Sequence, residues 1–283
     1  MPESSTRPTN LGRVSVCLPA RNEEATVGPI VAAIVRELVD GRGVVDEVVV
    51  VDDGSTDATA AEAAAAGAVV VAADDVMPGV GRGTGKGEAL WKSLHVARGD
   101  VLVFCDADLR HFDAAFVTGL LAPLALDDGI GFVKGFYERP VGGGRVTELV
   151  ARPVIGLFFP ELAAIRQPLG GEFAARREVL EAVPFVQGYG VDLALLVDVA
   201  ARFGIESIAQ ADLGVRTHRN RSLEELGAQA LAVLRVALLR AGVEDRAGWD
   251  PGDVAERPPM IEVEEYLSVD GRARRVGAGL ARP

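Results

Sequence analysis

The chain has 283 residues, 41 acidic against 29 basic side chains, a net charge of −12, and 49% hydrophobic residues with only 5% aromatic. That length accommodates one large domain with a sizeable core, and the acidic balance argues against a general nucleic-acid-binding surface. No apolar run approaches the roughly 20 residues of a membrane span, and Met1 to Arg13 lacks a signal-peptide hydrophobic segment, so a soluble cytoplasmic enzyme is expected.

Residues 1–12 read as a disordered lead-in. Val14 to Leu18 is a first strand that Pro19 ends. Beyond it Ala20, Arg21, Asn22, Glu23 and Glu24 form a polar turn able to meet a ligand, followed by a helix from about Thr26 to Val39. Glu47 to Val51 is a second strand tipped by Asp52 and Asp53, and Ser55 or Thr56 is placed to cap the Ala-rich helix that runs to Ala66. Ala68 to Ala72 completes a strand, helix, strand, helix, strand unit, which predicts a doubly wound parallel α/β sheet with right-handed crossovers. An acidic strand tip in such a unit can hold a nucleoside, and it can equally be an ordinary capped turn. Cys17 and Cys105 fall in predicted core strands and read as buried thiols rather than a disulfide framework.

Gly79, Gly81, Gly83 and Gly85 alternate ahead of Lys86 and Gly87, with a helix predicted from Glu88 to Arg98. Glycines let a backbone approach an anion closely, and Lys86 lies near a helix N-terminus, where phosphate charge is favoured. The stretch is no Walker loop, because Val80 stands where that motif needs glycine and Gly87 where it needs Ser or Thr. It is either a phosphate-binding loop or a linker.

The chain is organised around the next strand, Val101 to Cys105, which ends in Asp106, Ala107 and Asp108. Alternation along a strand sends Asp106 and Asp108 off the same face, toward one point beyond the strand's carboxyl end. Two carboxylates aimed at one point favour a cation between them. A hard divalent ion with positions left for phosphate oxygens, Mg2+ or Mn2+, fits that need, and the alternative is a solvated turn.

A helix over Phe112 to Leu124 and a strand over Ile130 to Tyr137 follow. Gly142 to Thr147 is a second glycine-rich turn in which backbone amides and Arg145 suit a phosphate or carboxylate, or form a surface hinge. From Glu148 the alternation weakens. Gln167 to Phe173 reads as a tight turn, and Gly188 to Asp192 opens a helix running to Phe203, with Asp192 stabilised by the helix dipole. Ile205 to Ala209 is a strand. Arg216, His218, Arg219 and Asn220 make a basic patch in an acidic protein, equipped to finish a metal and phosphate site. Leu223 to Leu239 is an apolar helix, and from Ala247 a Pro- and Gly-punctuated tail is expected to wrap the surface.

Taken together, Pro19 to Glu24, Asp52 to Asp57 and Asp106-Ala107-Asp108 resemble the GT-A glycosyltransferases that use nucleotide sugars. Gly85 to Trp91, Gly143 to Leu149, Gln167 to Glu172, Gly188 to Asp192 and His218-Arg219-Asn220 look like the narrower glucosyl-3-phosphoglycerate synthase family, over about residues 14–241. That resemblance implies a GT-A nucleotide-diphospho-sugar transferase fold with a C-terminal acceptor-binding portion. It divides the chain into the lead-in, a nucleotide-sugar-binding half over 13–137, an acceptor-binding and metal-completing half over 138–246, and a tail over 247–283.

The resemblance further implies that Pro19, Ala20, Arg21, Glu23, Asp53 and Lys86 bind uridine diphosphate with Asp106 and Ala107 near the nucleoside, while Leu169 and Asp192 line the glucose. Asp108 and His218 would ligate Mg2+ or Mn2+, and Gly144, Arg145, Thr147 and Asn220 would hold 3-phosphoglycerate. Asp108, Asp192 and His218 are the catalytic candidates, although the family commonly has Glu where Asp192 stands. The implied reaction is retaining transfer of glucose from UDP-glucose to the acceptor's 2-hydroxyl, in a cytoplasmic homodimer. Competing readings are mannosyl transfer from GDP-mannose, transfer to a polyprenyl phosphate, nucleotidyl transfer to a sugar phosphate, and a non-catalytic nucleotide-sugar sensor.

Overall fold

A computed structural model describes residues 8–138, 144–215, 223–243 and 254–269. Its centre is a seven-stranded sheet in the order β3-β2-β1-β4-β6-β5-β8. The strands are β1 (Val14–Ala20), β2 (Glu47–Asp52), β3 (Val69–Ala72), β4 (Val101–Phe104), β5 (Phe132–Glu138), β6 (Phe173–Arg176) and β8 (Ile208–Val215). A two-stranded ribbon pairs β7 (Phe185–Val186) with β9 (Glu256–Arg257). The helices that bear on the site are α1 (Val27–Ile34), α2 (Thr59–Ala65), α3 (Lys86–Val96), α4 (Ala115–Leu126), α5 (Arg152–Phe158), α6 (Arg177–Glu181), α7 (Val191–Phe203), α8 (Leu223–Arg240) and α9 (Glu264–Leu267).

The inner Val-rich strands β1, β2 and β4 are buried on both faces, as a parallel sheet covered by helices requires, while the edge strand β3 is partly exposed. Val49 and Val51 join Leu102, Phe104 and the apolar residues of α3 and α7 on one side. Val48 and Val50 join Val101, Val103 and the apolar faces of α1 and α4 on the other. β1 pairs in parallel with β2 and β4, and β2 with β3, so the chain reverses its direction of travel across the sheet between β1 and β4. Ligands of open α/β sheets gather at the carboxyl ends of strands at such a switch.

Several expectations need correction. Pro19 does not end β1, which continues to Ala20 in register with Asp52. β4 stops pairing with β1 at Cys17, so the proline's missing N–H falls where that edge of β1 has lost its neighbour. Gln167 to Phe173 is only partly a turn, because Phe173 begins β6, which runs antiparallel between β4 and β5. Neither Ser55 nor Thr56 caps α2; the Ser55 hydroxyl donates to Asp52, while Asp57 accepts the Thr59 N–H at 3.0 Å. The Ile205 strand starts instead at Ile208, after a 3-10 turn that follows Gly204. α3 begins at Lys86, two residues earlier than its pattern suggests. Cys17 and Cys105 are buried thiols outside any disulfide, and burial pushes the Cys17 thiol up to about 12.

The segment that carries β9 and α9 packs against α3. Arg257 makes a two-pronged pair with Glu88 at 2.7 and 2.9 Å, and donates to the carbonyls of Val80 at 2.7 Å and Gly81 at 2.9 Å. Glu88 is fully buried, and Lys92 one turn on adds a second cation at 3.1 Å. The Trp91 indole donates to the Pro258 carbonyl at 2.9 Å. At the other end of α3, Arg177 donates to the carbonyls of Leu94, Ala97 and Gly99 at 2.6–2.8 Å, supplying partners for groups the helix cannot satisfy itself.

Candidate active site

The tips of β1 and β2 are laced together by side chains. Asn22 Oδ1 accepts the Thr56 N–H at 2.8 Å, the Asn22 backbone N–H donates to the Ser55 hydroxyl at 2.9 Å, and the Glu23 N–H donates to the Thr59 hydroxyl at 2.7 Å. The polar residues of both turns thus have a structural task before any ligand arrives. Asp53 reaches across to the glycine loop, accepting the Gly85 N–H at 3.1 Å with Arg21 at 3.6 Å from the same oxygen. Burial raises the Asp53 pKa, with the Gly85 amide and Arg21 opposing.

Two glycines of that loop are explained by packing. A Cβ on Gly87 would meet the Val186 carbonyl oxygen at 1.8 Å, and Gly85, at φ +81°, lies beside the backbone of Gly188. The first turn of α3 is therefore pressed onto the β7 segment. The expectation that these glycines serve anion approach captures the loop's location and misses that contact.

From this helix start, the Lys86 ammonium stands 3.1 Å from Asp106 Oδ1 and 3.1 Å from Asp192 Oδ2. Lys134 on β5 takes the other oxygen of Asp192 at 3.3 Å. Charges from β4, α3, α7 and β5 thus alternate in one line: Asp106, Lys86, Asp192, Lys134. Burial works to lower the Lys86 pKa, but Asp106, Asp192 and Glu172 outweigh it and hold it above the ordinary lysine value. For Lys134 burial prevails over Asp192 and the pKa is lowered. Gly171 completes the wall, since a Cβ there would meet the Asp106 carboxylate at 2.2 Å.

Asp192, which the sequence places at a helix N-terminus and the resemblance against the glucose, has two ammonium partners. Lys134 went unnoticed in the sequence because a lysine within a strand ordinarily faces solvent. Here it is 1% exposed, with its ammonium 5.5 Å from the centre of the Phe173 ring. The signal available was the interruption of an apolar strand, Phe132-Val133-Lys134, by one charge.

Asp108 is exposed beside the cleft and Ala107 is buried between the two aspartates. The Glu23 pKa is raised, by burial first and then by the charge of Asp108, with Asp57 and Asp106 adding to it. Glu23, Asp106 and Asp108 therefore share one negative field. All are hard oxygen donors, the set that suits Mg2+ or Mn2+ with remaining positions for water and phosphate. Among the described residues no group of three or more His, Cys, Asp or Glu forms a ready cage. The described carboxylates fit as part of a cation site completed from elsewhere. His218 and Asn220 lie outside the described residues.

A cavity of about 220 Å3 opens beyond the end of β5, lined by Gly144, Thr147, Arg152, Arg166 and Gln167 among others. Thr147 begins a π-helical turn, Thr147–Ala151, that leads into α5. Arg152 pairs with Glu148 at 3.0 Å and donates to the Arg166 carbonyl at 2.7 Å, while the Arg166 guanidinium lies 3.9 Å over the Phe136 ring. Two guanidinium groups beside a small cavity suit a compact anion. Leu169 is half-buried against the core.

The glycosyl transferase family 2 model matches residues 15–183. A glucosyl-3-phosphoglycerate synthase of Mycolicibacterium smegmatis is 51% identical over 271 residues, covering 87% of this chain and 88% of that one. A second, from Petrotoga mobilis, is 41% identical over 93% of this chain and 91% of the relative. This chain belongs to the glucosyl-3-phosphoglycerate synthase family of family 2 glycosyltransferases. The crystal structure of the Mycobacterium tuberculosis synthase in complex with Mn2+, UDP-glucose and phosphoglyceric acid superposes with a TM-score of 0.82 at 46% identity, covering 88% of this chain and 90% of that one. Synthases of this family thus span the whole length over which the cleft and the cavity are built. No helix among the described residues is long and apolar enough to cross a membrane.

Proposed function

We propose that this protein transfers glucose from UDP-glucose to the 2-hydroxyl of 3-phosphoglycerate, with retention at the anomeric carbon, giving glucosyl-3-phosphoglycerate. The observation that carries the reading is Lys86, held 3.1 Å from Asp106 and 3.1 Å from Asp192 at the carboxyl end of β4, in a chain 46% identical to a synthase crystallised with Mn2+, UDP-glucose and phosphoglyceric acid.

In this reading Pro19, Ala20, Arg21, Glu23, Asp53, Asp106 and Ala107 receive the uridine diphosphate, and Lys86 faces the diphosphate. As the glycosidic bond breaks, negative charge grows on the departing diphosphate, and a buried ammonium contributes most where charge is growing. Asp108 and His218 would hold a divalent cation, which when bound would supply Lewis-acid neutralisation of that charge. Leu169 bounds the sugar and Asp192 orients its hydroxyls. Gly144, Arg145, Thr147 and Asn220 hold 3-phosphoglycerate so that its hydroxyl lies against the anomeric carbon, replacing a collision with a positioned step. No general base is required when the leaving phosphate takes the hydroxyl proton on the front face.

The same reading assigns donor recognition to residues 13–137 and acceptor recognition to 138–246, and describes a cytoplasmic homodimer, which sedimentation equilibrium tests. The reaction is tested by incubating purified protein with UDP-glucose, 3-phosphoglycerate and Mg2+. UDP release and an α-linked product by NMR are expected. Faster release of GDP from GDP-mannose, or pyrophosphate release, overturns the assignment.

A further inference from the structure

Lys86 is given two tasks that compete. It is paired with Asp192, which is 6% exposed, and the proposed reaction turns it toward a diphosphate. Withdrawing the sole cation from a buried carboxylate is strongly unfavourable, so a lysine serving Asp192 alone would be held back from the donor. Asp192 has a second partner. The Lys134 ammonium lies 3.3 Å from Asp192 Oδ1, on the side away from Lys86, which binds Oδ2.

Lys134 is badly placed to bind substrate itself. It is 1% exposed, and its register partner on β6 is Phe173, whose ring lies beneath the ammonium at 5.5 Å. That ring is also stacked on Phe104 and Phe132, with centroids 4.7 and 5.2 Å away. A buried lysine is kept charged only by a nearby carboxylate, and here Asp192 is that group.

We infer that Lys134 is a positioning residue for donor binding: it serves as the standing counter-ion of Asp192, which frees Lys86 to leave Asp192 for the donor diphosphate. Resting on the proposed function, this divides two lysines by role. Lys86 moves between protein and substrate, and Lys134 remains with Asp192 throughout. Burial lowers the Lys134 pKa, opposed first by Asp192 at 3.3 Å and, more weakly, by the buried Glu172.

A double-mutant cycle read by UDP titration calorimetry, with Mg2+ present, tests the assignment. In Lys134→Met, Asp192 has only Lys86 left, and UDP affinity falls by about tenfold. In Lys134→Met/Asp192→Asn, Lys86 keeps its wild-type pairing with Asp106 but is no longer claimed by Asp192, and UDP affinity returns to within about threefold of wild type even though turnover does not recover. A merely structural role for Lys134 would leave the double variant as impaired as the single. If Lys134→Met does not fold, Asp192→Asn is compared with the double variant, and equal UDP affinity is expected. Unchanged UDP binding in folded Lys134→Met, absence of rescue, or a tenfold gap between Asp192→Asn and the double variant overturns the inference. Wild-type UDP binding and turnover are measured alongside. Failure of the wild type to bind UDP overturns both this inference and the function, whereas failure of the cycle alone leaves the function standing.

Discussion

The cleft proposed for the donor and the cavity proposed for the acceptor are built from contacts of different reach. In the cleft, Lys86 meets Asp192 across 106 positions of sequence and Lys134 meets Asp192 across 58. In the cavity, Arg152 meets Glu148 across 4 positions and the Arg166 carbonyl across 14. The cleft therefore exists only when four elements of the sheet and its helices are in place. One wall of the cavity is set by the helical turn from Thr147 to Arg152, while Arg166 and Gln167 are tied to Gln210 and Tyr137 across 44 and 30 positions. Changes in the cleft should disturb folding and donor recognition together, and changes at the cavity should fall on acceptor recognition alone.

The sharpest break in that contrast is loss of Asp108. We expect Asp108→Ala to lower metal-dependent turnover by about a thousandfold or more, measured as UDP release against Mg2+ concentration. Retention of turnover within tenfold would remove the carboxylate from the reaction. Next comes Gly87→Ala, whose new methyl group would meet the Val186 carbonyl oxygen at 1.8 Å. Forcing that contact apart should cost about 3 kcal/mol in urea melts and weaken UDP binding in parallel, the coupling expected of the cleft.

On the acceptor side, Arg145→Ala should raise the KM for 3-phosphoglycerate by about ten- to a hundredfold, with UDP affinity held within twofold. Weakened UDP binding with an unchanged acceptor KM would reverse the division of labour between the two regions. The smallest effect concerns Glu23, whose pKa is raised above the ordinary 4.5 by burial and the Asp108 charge. A carboxyl raised on folding favours the folded state fully below that ordinary value and loses the contribution as pH rises through the folded value. Glu23→Gln should therefore raise the melting temperature of the cation-free protein at neutral pH. The gain should vanish in acid, and a gain that persisted there would point to packing.

Much of the sheet was legible because its signal is local. Val48 to Val51 and Val101 to Phe104 are unbroken apolar runs, which only a doubly covered parallel sheet accommodates at that length. Asp106 and Asp108 could be singled out as the acidic end of such a run, but β4 stops at Phe104 and Asp108 lies in the turn beyond it, so strand alternation does not set where the two carboxylates point. β6 was not legible: Phe173-Ala174-Ala175-Arg176 is short, and its antiparallel partners lie some 70 and 40 positions upstream in β4 and β5. For the same reason the line from Asp106 to Lys134 could not be read from spacing. Each member is ordinary in its own segment, and only β6 sets the distance between the strands that bear them. The Ser55 cap failed for a local reason, since that hydroxyl is taken by Asp52 three residues earlier.

The Arg257 clamp has a temporal consequence. The glycine loop and the start of α3 are synthesised early, yet the guanidinium that bonds Val80, Gly81 and Glu88 is encoded 169 to 177 positions later. Until residue 257 has cleared the ribosome, a nascent chain has Asp53 and Gln187, but not Arg257, to hold its glycine loop. Loss of the segment from Val254 onward would return a finished molecule to that less braced condition while sparing every strand of the seven-stranded sheet.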